Sequence, residues 1–445
     1  MNSGRLNHTS HAAAALSPAR TPPHQRAMRA CSRSFLALAT LVSQGCTSIL
    51  LPEAPSTDDV LEGPIDNLTV EQRAAFMRGD AEFVRTFAEL DGLGPIFIAQ
   101  SCESCHAGDG KGHPLFNITR FGKRTGTEFS AMPSDGGPQL QQRAIRQYLG
   151  EVIPGSANAI SRFTPPAVTG LGLLEAVSDA DILARVDEHD ANGDGISGRA
   201  HWADSTELVS ASIARSAGLS PTATRHLPVG GKYLGRFGKK GRVVTLLQQT
   251  AQAYLEDMGI TSALLPHDIV NPQVGALAHD DVVDPEVAFS VVDRVTFYLR
   301  TLRPPPRREV NHVDVKAGEA LFVSTGCAGC HTPSMRTGKT DIAALSEVPF
   351  APFTDLLLHD MGPDLDDKYT EGSATSAEWR TAPLWGVGLA EGSQGGTGYY
   401  LHDGRARTLR AAIGFHGGEG SRSRAAFNSL NATQQEHLLR YLRSL

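Results

Sequence analysis

The sequence predicts a mainly α-helical protein, built as two small helical units with long irregular loops. Three observations predict it. A C-x-x-C-H pattern occurs twice, at Cys102-Glu103-Ser104-Cys105-His106 and at Cys327-Ala328-Gly329-Cys330-His331. A stretch with helical spacing precedes each copy, and another closes the chain. The 445 residues include 45 Gly and 26 Pro, which favours helices joined by much loop.

The spacing of the repeated pattern has a chemical reason. Two thiols about one helical turn apart can each add across a vinyl group of one porphyrin, and the histidine directly after them can place its imidazole on the iron. A bare C-x-x-C would suit a redox dithiol or half a zinc site equally well. The adjoining histidine, the second copy and the lack of a further close Cys/His pair point instead to two covalent c-type haems. Cys102, Cys105 and His106 would hold one, and Cys327, Cys330 and His331 the other. The two remaining cysteines, Cys31 and Cys46, fall in what reads as an export signal, so no pair is left for a structural disulfide. Helix, motif, long loops and closing helix is the layout of a small cytochrome c domain. The expected fold class is therefore mainly α, with two cytochrome c-like domains and one haem in each.

Composition excludes other classes. Hydrophobic content is 40 %, ordinary for a soluble chain, and the formal charge is -7 with no long basic run. A nucleic-acid partner is not expected.

Along the chain, Arg29 and Arg33 precede the apolar run Phe35–Val42, and Ser43-Gln44-Gly45-Cys46 follows. That succession reads as a secretory signal over 1–46, with translation starting at Met1 or Met28. The run is too short to span a bilayer. Gly45-Cys46 resembles the end of a bacterial lipobox, so a lipid anchor on Cys46 stands beside ordinary cleavage as the expected processing. The product would be periplasmic or anchored at the outer membrane. Residues 47–65, with Pro52, Pro55 and Pro64, read as a tether. Leu68–Leu93 has helical spacing in Phe76, Phe83, Phe87 and Leu90, and Asp91-Gly92 stops it. His113, after the glycine loop that follows His106, reads as a propionate-binding or solvent-facing side chain rather than a ligand. Asp179–Leu183 starts a short helix. Asp190, Asn192 and Asp194, with Gly at the sixth position, match the first half of an EF-hand loop. His201 stands where the bidentate Glu belongs, so a calcium loop completed from elsewhere and a metal-free turn are both open. Thr245–Met258 and Val287–Leu302 read as helices, and Pro304-Pro305-Pro306 as the domain boundary. The domains are then 66–306 and 307–445. In the second, Lys316–Phe322 is a helix leading into the motif and Gln434–Leu445 is the closing helix.

Several segments resemble the bacterial di-haem oxidoreductases of peroxidase or "thiol oxidoreductase" type, relatives of the di-haem cytochrome c peroxidases and of the tryptophan-tryptophylquinone-maturing enzymes. They include Phe163–Pro166, Gly170–Ala176, Asp194–Arg199, Gly235–Gly238, Thr354–Gly362, Glu378–Gly386 and Leu401–Ala406. The chain has no spare dithiol for thiol chemistry. The resemblance implies that the N-terminal haem meets hydrogen peroxide while the C-terminal haem relays electrons. It implies a distal Gln and an acid after the glycine-arginine loop, here Gln249 with Glu256 or Asp257. Solvent-facing helix residues are the competing account of these three. Phe237 is the nearest counterpart of the relatives' inter-haem aromatic. In the relatives, the residue ending the helix that matches Thr408–Phe415 reaches the second iron. Here it is His416, with Met361 and His359 as rivals. The implied partners are hydrogen peroxide and a small redox protein or quinol-linked electron donor. The competing function is an electron-transfer cytochrome with both irons six-coordinate.

Overall fold

The computed structural model describes residues 61–204, 229–274 and 280–445, within one compact unit running from Ser56 to Leu445. The expected export signal lies outside the described residues, as does most of the expected tether.

Helix α1 (Val70–Phe83) starts where Thr69 and Gln72 close a capping box, each side chain accepting the other's backbone N–H. The helical spacing seen further on, through Leu90, ends earlier than expected, and only a 3-10 turn, Glu89–Asp91, follows. Two further helices, α2 (Leu171–Glu175) and α3 (Asp179–Leu183), are single turns or little more. Helix α4 (Leu246–Met258) is capped by Thr245 and stopped by Gly259, whose φ of 71° favours glycine. Helix α5 (Phe289–Thr301) packs between α1 and α4. At the α1–α5 crossing a Cβ on Gly79 would overlap the Arg294 carbonyl, so only glycine lets the two backbones come so close. The core around these helices buries Phe76, Phe83, Tyr254 and Tyr298, and it also takes in Met335, Leu357 and Trp385 from beyond the triple proline.

Helix α6 (Val313–Ser324) leads into the second motif and packs on the last of the closing helices. These follow α7 (Ala390–Ser393) and are α8 (Leu409–Gly414), α9 (Ser421–Ser429) and α10 (Ala432–Arg443). Val315, Phe322, Phe353, Leu438 and Tyr441 fill their common core.

The expected mainly α class is wrong: the fold is mixed α/β. Among the described residues 35 % are helical, 3-10 turns included, and 14 % lie in strands or bridges. The strands are short. A three-stranded sheet pairs β2 (Ile118–Thr125) with β3 (Glu128–Ser130) on one side and with β5 (Ala159–Phe163) on the other. Two-stranded ladders join β1 (Ile96–Phe97) to β4 (Arg143–Ala144), and β6 (Leu358–Asp360) to β7 (Glu378–Arg380). The physical cause is backbone satisfaction. Long segments that cover a core bury their peptide groups, and with no helix to use them they pair locally. Ala159–Phe163 alternates buried and exposed along its length, but with Ser161 buried and Ile160 exposed the alternation does not show in residue type.

Candidate functional site

The two C-x-x-C-H segments adopt matching turns. Cys102 O accepts the N–H of both Cys105 and His106 at 3.1 Å, and Cys327 O accepts the N–H of His331 at 3.0 Å. Each histidine is then oriented the same way. His106 Nδ1 lies 2.8 Å from Pro166 O, and His331 Nδ1 lies 2.9 Å from Phe353 O. A carbonyl can only accept, so Nδ1 carries the proton and Nε2 is left with its lone pair. Burial lowers both imidazoles to about 4, so both are neutral at physiological pH, the form that binds a metal. Burial pushes the Cys102 and Cys105 thiols up to about 12, with the Asp257 charge adding to it. That is the opposite of a reactive thiolate pair. The glycine loop after His106 is tight for a reason: a Cβ on Gly112 would strike the Cys105 carbonyl and the Pro165 ring.

Opposite His331 stands His416. It follows α8, which Thr408 caps through the Ala411 N–H. Its Nδ1 lies 2.8 Å from Ala412 O, so its Nε2 is also unprotonated. The two rings are 6.5 Å apart between centroids, tilted by 48°. A metal held by two imidazole nitrogens at about 2 Å each separates the ring centres by roughly 6 Å. The pair therefore has the spacing of two ligands on one iron.

The rivals stand differently. His359 is 2 % exposed and both its nitrogens are held, Nδ1 by Glu419 at 2.6 Å and Nε2 by Asp355 at 2.8 Å. Burial works against its charge, but the bonds to Asp355 and Glu419 raise its pKa well above the ordinary value. It is an imidazolium with no lone pair to offer. Its Nδ1 is 3.6 Å from Cys330 Sγ, which accounts for the close grouping of Cys330, Asp355 and His359 without a metal. Met361 packs against the buried cluster of Phe163, Leu365, Tyr369 and Trp379. His113 accepts the Leu115 N–H at Nδ1 and meets Tyr399 Oη at 3.0 Å through Nε2, so neither solvent nor a ligand role takes it.

Around His106 the nearest ring is Phe83, 6.3 Å away, and no second imidazole faces it among the described residues. On α4, Asp257 accepts from Gln139 Nε2 at 2.7 Å. Its backbone carbonyl takes the N–H of Ile98 and Ala99, on the segment entering the motif. Burial, reinforced by Glu256, raises its carboxyl to about 7. Glu256 points to cations instead, 3.3 Å from Arg120 and 3.8 Å from Arg242. Gln249 is half-buried, and its side chain makes no hydrogen bond among the described residues. Tyr254, 1 % exposed on the same helix, has a buried Oη without a hydrogen-bond partner. An orphaned phenol, a lone-pair imidazole and two protonated thiols fit an added group better than a solid core.

Phe237 is a core residue, 5 % exposed. Trp385 touches both regions: it leaves no room for a Cβ on Gly170 and lies 6.1 Å from Phe350. Asp190, Asn192 and Asp194 use their oxygens on the backbone N–H groups of Gly195, Asp194 and Ile196, the bonding of a self-capped turn. Ile196 of the same loop reaches Gly329 inside the second motif. Sequence reasoning missed Gln139, Pro166 and Phe353, because a carbonyl or amide contributed from a distant loop leaves no local pattern.

The family model described as "Di-haem oxidoreductase, putative peroxidase" matches residues 42–124 and 157–445. The chain belongs to that di-haem oxidoreductase family, and it is accordingly a haem-dependent redox enzyme. No curated protein matches it. Among solved structures it is similar to hydrazine synthase from Kuenenia stuttgartiensis, at 13 % identity and a TM-score of 0.35, covering 95 % of this chain and all of that one. It is also similar to a MauG-like protein associated with microbial copper homeostasis, at 14 % identity and a TM-score of 0.36, covering 89 % and 94 %. Overlaps this slight add nothing to the fold described above.

Proposed function

We propose that the chain is a peroxidase-like di-haem c oxidoreductase, with the reaction at the His106 site and electron relay at the His331 site. The observation that supports it best is the asymmetry between two otherwise matched motifs: His331 faces His416 at ligand spacing, while among the described residues His106 faces no second imidazole. Cys102 and Cys105 would hold one haem covalently with His106 on its iron. Cys327 and Cys330 would hold the other, between His331 and His416. When bound, the haem at His106 supplies a redox-active iron with an open position for peroxide.

The chain's own groups do the rest. Pro166 O fixes the His106 ring and keeps its tautomer. Asp257, with a pKa near 7, can take a proton from one peroxide oxygen and return it to the other, and Gln139 holds the carboxylate in place. Glu256 is a structural ion-pair partner rather than the acid, and Gln249 is the free amide nearest to that role. A small redox protein or quinol-linked donor would supply electrons through the second site. Residues 1–46 would send the protein to the periplasm or, through Cys46, to a membrane surface. No helix among the described residues is long and apolar enough to cross a membrane. The spin-state spectrum of the oxidised protein tests the proposal. One high-spin and one low-spin haem are expected. Two low-spin haems would make the chain an electron carrier.

A further inference from the structure

Beside the His106 motif three cations converge with no carboxylate of their own. Lys111 lies in the glycine loop after His106, and its Nζ is 3.4 Å from Leu401 O. The next residue, His402, is 8 % exposed and stacks on Trp379 with 3.6 Å between centroids. Its carbonyl takes the Thr164 N–H at 2.7 Å, close in sequence to Pro166, the residue that orients His106. After Trp379 comes Arg380, whose backbone N–H donates to Lys239 O at 3.0 Å and whose Nε donates to Gly238 O at 2.9 Å. A chain of contacts therefore runs from His106 through Pro166, His402, Trp379 and Arg380 to Lys239, and back to the motif through Lys111.

None of the three cations makes an ion pair among the described residues. Asp403, the acid near them, is held by Arg405 at 2.7 Å. Two polar atoms in the same contact chain, His402 Nε2 and Thr164 Oγ1, are buried without hydrogen-bond partners. Burial lowers Lys111 to about 8 and Arg380 to about 10, and it brings Lys239 well below its ordinary value. Buried positive charge that the protein does not neutralise is costly, and an anion delivered to the place offsets it. A haem carries two propionate carboxylates.

We propose that Lys111, Lys239 and Arg380 form the carboxylate-binding cradle for the propionates of the haem held at His106. The proposal rests on the haem reading of that motif. It assigns a role to cations from three distant segments, and it implies that they favour the reduced, more negative state of the centre.

The test uses the full-length exported holoprotein with Lys239→Gln, Lys111→Gln and Lys239→Arg. It has three readouts: haem content per chain, potentiometric titration followed by absorbance, and the resonance Raman propionate bending band. Both Gln variants should keep two haems, move the propionate band, and shift the reduction equilibrium of one haem about tenfold toward the oxidised form. That shift is about 59 mV for one electron. Lys239→Arg should behave like the wild type. If Lys239→Gln fails to mature, Lys111→Gln carries the same readouts. Two attached haems with an unmoved band and potential in the Gln variants would overturn the cradle. A wild-type protein without haem would fail earlier, at the haem reading itself.

Discussion

The two C-x-x-C-H regions are near copies up to the histidine and different beyond it. Both bury a neutral imidazole whose Nδ1 is tied to a backbone carbonyl. The second region then adds a facing imidazole, His416, and a buried charge cluster in which Asp355 and Glu419 grip His359. The first adds a carboxyl near neutrality, Asp257, and a group of unpaired cations. The same motif is thus set in two environments. In the proposed reading the fully engaged site would pass electrons and the site with titratable groups would host the reaction.

The largest expected effect removes one region altogether. Cys330→Ala should leave the second haem poorly attached and the first intact. Mass spectrometry of matured protein should show two haem adducts in the wild type, and a wild type with one adduct would break the comparison at its root. Next comes proton transfer. Asp257→Asn should lower peroxide turnover by about 10²–10⁴-fold while both haems remain. Glu256→Gln should change turnover far less, because its partners are Arg120 and Arg242. Equal losses in both would mean the acid is misassigned. His416→Ala should convert the second haem from low-spin to high-spin and raise its potential, seen by electron paramagnetic resonance. A second haem that stays low-spin without added ligand would return the assignment to Met361.

The two regions should also differ in sign when pH is varied. Asp257 has a raised pKa in the folded protein, so between about 4 and 7 the folded state binds more protons than the unfolded state. Its contribution to stability therefore falls as pH rises through that window. Glu419 is the reverse. Burial pushes it up, but bonds from His359 and Ser197 bring it down to about 2. Its stabilisation is present above about 4.3 and is lost as pH falls toward 2. Thermal melts of Asp257→Asn should lose the first slope and those of Glu419→Gln the second; unchanged slopes would show that neither group titrates on unfolding. The smallest effect concerns Asp190, Asn192 and Asp194. Their oxygens already serve backbone N–H groups, so chelating calcium should leave the melting temperature where it is, and a clear drop would show that the loop binds the ion.

The two C-x-x-C-H motifs, and with them the di-haem family, were legible in the sequence because their residues are contiguous. The placing of His416 opposite His331 was legible only through the helix that precedes it and the resemblance. The choice between Glu256 and Asp257 was not legible at all: adjacent on α4, they differ in which way they face, and Arg120 and Gln139 decide that from another part of the chain. The strands were missed for a related reason. Residues such as Leu358–Asp360 pair with Glu378–Arg380 across a long loop, and a three-residue ladder has too little pattern to announce itself.

The carbonyl that orients each histidine also sets a clock. Phe353 lies 22 residues beyond His331, whereas Pro166 lies 60 residues beyond His106, and two of the cations beside that site, Lys239 and Arg380, come from further still. Contacts that close long stretches of chain form later than local ones. The His331 ring, though made last during synthesis, is therefore expected to meet its orienting carbonyl before His106 does when the holoprotein refolds. Pulsed hydrogen exchange should show the backbone around Phe353 protected before the backbone around Pro166. The opposite order would mean that the long loops are already in place when folding begins.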